Sequence, residues 1–113
     1  MSQAFSENGF TDIHCHGGGG FYFSDPNPEN IQAAIQIHRQ HGTANLLASL
    51  VTAELELLKK QIKSLLPFYE RGDIAGIHLE GPYLAHRRCG AHEPTLLREP
   101  RLEEIKSLIE IGN

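Results

Sequence analysis

Cysteine is scarce in this sequence of 113 residues: Cys15 lies between two histidines and Cys89 beside a glycine. Neither belongs to a CxxC pair, which argues against a disulfide framework or a cysteine-rich zinc module and leaves two buried or pocket-lining thiols. Long apolar runs are also missing. The longest uncharged stretch, TANLLASLVTA at 43–53, is too short to cross a bilayer. The amino terminus has no basic segment followed by an apolar core, so the chain reads as cytoplasmic, without a membrane partner. Basic runs are absent too: 10 Lys and Arg face 14 Asp and Glu, a net charge of −4, which argues against nucleic acid as a partner. What remains is 40% hydrophobic and 21% charged, the composition of one modest soluble domain rather than of a disordered segment.

The patterns along the chain follow a regular order. Phe10 to His16 alternates around a short apolar core and runs into four glycines, as a strand followed by a loop does. Asn27 offers an N-cap, Pro28 a first helical residue and Glu29 a first-turn acid, and Ile31, Ala34, Ile35 and His38 then recur at helical spacing until Gly42. ANLLASLV at 44–51 is a nearly continuous apolar run, the pattern of a parallel strand covered on both faces. From Thr52 onward, Leu55, Leu58, Ile62, Leu65 and Leu66 mark one apolar helical stripe, which Pro67 and Gly72 are expected to fray and stop. IAGIHLE at 74–80 predicts a third strand, broken by Gly81 and Pro82. Pro100 opens a last helix bearing Leu102, Ile105, Leu108 and Ile109.

The order is therefore β-α-β-α-β-α, with strand starts near 10, 44 and 74. That rhythm implies an α/β fold of βα units in a parallel sheet with right-handed crossovers. Three units leave two open sheet edges, and a complete eight-unit barrel needs roughly 250 residues.

Residues i and i+2 of a strand share a face, so His14 and His16 project together while Cys15 points away. At the C-terminal end of a parallel strand, two such imidazoles can reach one divalent ion, and Gly17 to Gly20 keep the following loop low. Taken alone, this HxH pattern fits surface or hydrogen-bonded core histidines better. Glu80 closes the third strand before a Gly-Pro turn and occupies the same rim, either as a ligand or as an ordinary solvated strand-end acid. His78 shares its face or packs inside as a layer residue. His92 ends the glycine-hinged loop RCGAH, 88–92, and reads, from spacing alone, as a solvent-exposed loop histidine.

Three segments, GFTDIHCHGGGG, HRQHGTANLLASLVTA and GIHLEGPYLAHRRCGAHEP, together closely resemble the N-acetylglucosamine-6-phosphate deacetylases of the amidohydrolase superfamily, especially their actinobacterial members. The resemblance runs from about residue 9 to 100. It implies a distorted (β/α)8 TIM-type barrel with a small β-sandwich built from both chain ends. Residues 1–113 would then form a partial barrel domain of three consecutive βα units, lacking the sandwich and the later units.

The implied reaction hydrolyses N-acetylglucosamine 6-phosphate, an amino sugar phosphate, to glucosamine 6-phosphate and acetate. By motif, Glu80 matches the glutamate that ligates the principal metal, and His14 and His16 match the pair that binds a second metal in binuclear members. Ala91 and His92 match the loop that meets the sugar, where Cys89 would line the pocket. The implied cofactor is a divalent metal ion, zinc or iron-like, one or two per intact subunit, and the intact enzyme is expected to be a homodimer. The family's catalytic aspartate and two further metal histidines lie on later strands with no counterpart in these residues, so this chain alone is expected to be inactive. Two other readings stand beside this one. One is a non-catalytic α/β domain that self-associates through open strand edges; the other is an amidohydrolase of another substrate class, against which HLEGP and GAH argue.

Overall fold

A computed structural model describes residues 8–113. Its centre is a parallel sheet of three strands, β1 (Phe10–Cys15), β4 (Thr43–Val51) and β5 (Gly76–Glu80), in the order β1-β4-β5. Helices α1 (Pro28–Gln40) and α2 (Leu55–Glu70) make the two crossovers, and α3 (Leu102–Gly112) follows β5. A two-stranded antiparallel hairpin, β2 (Gly17–Gly18) and β3 (Phe21–Tyr22), lies between β1 and α1. Among the described residues no helix is long and apolar enough to cross a membrane.

The local chemistry of α1 is as its sequence requires. The Asn27 side chain accepts the Glu29 N–H at 3.0 Å, Pro28 takes the first helical position, and Ile31, Ala34 and Ile35 are buried. In α2, by contrast, Pro67 does not end the helix, which continues to Glu70. A proline three residues from a helix end forfeits only one intrahelical bond, and burial of Phe68 beyond it holds the last turn. Leu58, Ile62 and Leu65 complete the buried stripe.

β4 lies between its two neighbours, and Leu46, Ala48, Ser49 and Leu50 along it are all buried. The sequence predicts a strand covered on both faces, but only the face of Leu46, Ala48 and Leu50 is fully covered: on the other, Ser49 is buried, Leu47 is half-buried and Asn45 and Val51 are exposed. The edge strands are less protected: Phe10 and Ile13 on β1 are exposed, and an apolar groove beside β5 is lined by Ile77, Leu79, Tyr83, Ile105, Leu108 and Ile109. Along β5 the period of two separates Ile77 and Leu79, which line this groove, from His78 and Glu80, which serve the polar rim.

The four glycines have a more definite task than leaving space. Gly19 and Gly20 have φ of 61° and 92° and make the two-residue turn between β2 and β3. A Cβ on Gly18 would lie 2.7 Å from Ile37 Cγ2 and 2.8 Å from His38 Nε2, so only glycine lets the hairpin approach α1 this closely.

Leu58, fully buried on α2, carries a direct test of the core. Leu58→Ala is expected to lower stability by about 2–5 kcal/mol, through lost burial and an incompletely refilled cavity, as read from urea unfolding.

Candidate metal centre

β1 and β5 are separated by β4, so at ordinary strand spacing their backbones stand about 10 Å apart. Their side chains nevertheless meet above β4. His14 Nε2 lies 3.0 Å and His16 Nε2 2.7 Å from the same Glu80 oxygen, Oε2, and the two ring nitrogens are 3.1 Å apart. Imidazoles and a carboxylate leaning toward one another across β4 are long enough to close that gap.

The three donors match what a divalent ion of the zinc class requires. Nitrogen and oxygen ligands 2.0–2.1 Å from a tetrahedral ion are separated by roughly 3.3 Å, and the observed triangle is only slightly tighter. Two ring nitrogens aimed at one carboxylate oxygen compete for a single acceptor, and a cation among them would use all three atoms at once.

Glu80 is strongly biased toward its charged form. Hydrogen bonding from His14 first, then from His16 and His92, outweighs the opposing desolvation and holds its carboxyl at about 2. His92 stands on the other side of the carboxylate, with Nε2 3.4 Å from Oε1 and Nδ1 2.8 Å from Thr52 Oγ1. Its side chain is only 10% exposed, so spacing alone misread it as a solvated loop residue. The reason is Thr52, buried just past the end of β4, which supplies a partner 40 residues distant in the chain. Ala91, one residue earlier, is exposed in the same turn, and Cys89 is partly buried.

Behind this rim lies a second polar layer. Ser49, pointing from β4 and buried, accepts the Cys15 backbone N–H at 3.0 Å and lies 2.8 Å from His78 Nδ1. Ser49 thereby links the backbone of β1 to the His78 ring on β5. The His78 ring meets His14 edge-on, with centroids 4.8 Å apart. His78 is therefore a packing support for His14, a role that strand periodicity left open. Ser49 was not foreseeable from the sequence, since a serine in an apolar run carries no signal of what it faces.

Comparison with known proteins follows the same direction. No family model matches the chain. The curated N-acetylgalactosamine-6-phosphate deacetylase of Escherichia coli O157:H7 is 31% identical over 107 residues, covering 91% of this chain. The N-acetylglucosamine-6-phosphate deacetylase of Haemophilus influenzae is 30% identical over 108 residues, covering 93%. A solved structure of N-acetyl-D-glucosamine-6-phosphate deacetylase from Mycobacterium smegmatis, a point mutant in complex with N-acetyl-D-glucosamine-6-phosphate, superposes with a TM-score of 0.89 at 47% identity over 93% of this chain. The chain spans only 28% of the length of each of these three proteins. The resemblance read from the three sequence segments is thus found again in whole-chain identity and in three-dimensional structure, and these relatives are amide hydrolases of amino sugar metabolism.

Ser49→Ala would leave the Cys15 N–H and the His78 ring nitrogen without their buried partner. The expected cost is about 1–3 kcal/mol in chemical denaturation, well above that of an exposed serine.

Proposed function

We propose that these residues form part of the (β/α)8 barrel of a metal-dependent, cytoplasmic N-acetylglucosamine-6-phosphate deacetylase, and that His14, His16 and Glu80 are metal ligands on its rim. The observation that carries the reading is the meeting of the three donors from β1 and β5 across β4, at the C-terminal ends of parallel strands. Functional groups of (β/α)8 enzymes gather at that end. The position of β5 at an edge of the three-stranded sheet, and the apolar groove left beside it, support a sheet that continues into a barrel. The small fraction of its relatives' length that the chain spans supports a partial domain, residues 1–113.

The chain's own residues have separable tasks. His14 and His16 present ring nitrogens from one edge of the sheet, and Glu80 brings a carboxylate already ionised at neutral pH from the other. His92 holds the second oxygen of that carboxylate, and with Ala91 it belongs to the loop that would meet the sugar. A divalent ion, zinc or iron-like and one or two per intact subunit, would when bound polarise the amide carbonyl and lower the pKa of water toward neutrality. Relatives named for both the gluco and the galacto substrate support N-acetylhexosamine 6-phosphates as the substrate class. The M. smegmatis enzyme, more similar to this chain and solved with the gluco sugar, favours the gluco isomer. The intact enzyme would be a homodimer.

Two measurements test this reading. After equilibration with zinc, elemental analysis of the chain and of a His14→Ala, His16→Ala, Glu80→Gln variant is expected to differ by one equivalent; equal zinc content would sink the ligand assignment. Purified polypeptide of these 113 residues, freed of host enzyme, is expected to release no acetate from N-acetylglucosamine 6-phosphate. The acid/base aspartate implied by the resemblance has no counterpart in it.

A further inference from the structure

A second group of metal-ligating side chains lies on the α1 side of β1, and nothing in the proposed deacetylase site uses it. Cys15 Sγ is 3.2 Å from His38 Nε2, and both point at the Gly17 carbonyl oxygen, from 3.3 Å and 2.8 Å. An Asp12 carboxylate oxygen completes the group, with the Asp12, Cys15 and His38 ligand atoms all within 4.8 Å of one another. A thiol proton and an imidazole proton thus converge on one carbonyl, which is an acceptor only. Replacing both by a single cation would engage sulfur, nitrogen and oxygen together.

The backbone builds this arrangement in two ways. Residues three apart on a regular strand point to opposite faces, yet Asp12 and Cys15 share one. The cause is an irregularity in β1: Asp12 pairs with Leu46 and Cys15 with Ala48, so three steps on β1 match two on β4. On the other side, Gly18 lets the hairpin close onto His38, where any Cβ would strike Nε2 at 2.8 Å. Asp12 Oδ1 also accepts the His14 N–H at 3.1 Å, which orients the carboxylate.

We propose that Asp12, Cys15, His38 and the Gly17 carbonyl bind one thiophilic divalent cation, zinc or its analogue cadmium, which fastens the end of β1 and the β2–β3 hairpin to α1. Thiolate, imidazole and carboxylate suit zinc-class ions and disfavour magnesium or calcium, and the two anionic ligands balance the ion's charge. On binding, the thiol proton passes to solvent and the His38 proton moves to Nδ1, with no change of oxidation state. Because Cys15 is the residue between His14 and His16, an ion here also immobilises the backbone that aims those two imidazoles.

Cadmium titration of the 113-residue chain, followed by the ultraviolet thiolate-to-cadmium charge-transfer band, tests the site. The His14, His16 and Glu80 triangle has no sulfur and is silent in this band, so the triple variant of that triangle should keep it. Wild type is expected to develop the band, the triple variant to saturate it at one equivalent, Cys15→Ser to lose it, and Cys89→Ser to keep it. Asp12→Asn, which leaves thiol and imidazole in place, and His38→Ala should each weaken cadmium binding by roughly tenfold or more, the scale of one lost ligand. Circular dichroism confirms that each variant is folded. No band in wild type, a band that survives Cys15→Ser, or undiminished affinity in both folded Asp12→Asn and His38→Ala would overturn the proposal.

Discussion

The structure turns on one constraint: a carboxylate on β5 must meet two imidazoles on β1 with a whole strand between them. The side chains close a gap of about 10 Å by leaning toward one another across β4, so the placement of both edge strands on β4 sets the spacing of the donors. Burial of Leu46, Ala48 and Leu50 on the face of β4 away from the rim anchors the central strand in the core. The polar rim is therefore supported by the apolar packing behind it.

Between core and rim, a short series of polar contacts supports the site. Ser49 serves Cys15 and His78, Thr52 serves His92, and His92 in turn braces Glu80. Unpaired, any of these groups would cost free energy and leave its neighbour free to rotate. The loop after β5 is tied down separately: the Arg98 backbone N–H donates to the Pro82 carbonyl, and Arg98 and Tyr83 both bond Glu104 on α3. This tie holds the segment carrying His92 between two fixed points.

Much of this was legible because strong local signals agreed with the tertiary solution. The N-cap at Asn27, the apolar run on β4 and the alternation through His78 and Glu80 each express a preference that the fold then uses. Elsewhere local reading misjudged the outcome. Pro67 was expected to fray α2, but the buried ring of Phe68 outweighed one missing hydrogen bond. The glycine run read as an open loop, whereas it forms a hairpin pressed onto α1. The irregularity in β1 left no trace in composition, since it arises from how β1 is matched to β4.

The sequence by itself determined the α/β order, the parallel strands and the shared face of His14 and His16, because hydrophobic periodicity and the i, i+2 rule act over a few neighbouring residues. Only the tertiary structure decided that His14, His16 and Glu80 converge, that His92 turns inward and that Cys15 faces His38. Those contacts join residues 23 to 66 positions apart, and their distances depend on strand order and strand register. Neither quantity is encoded in any local stretch of chain.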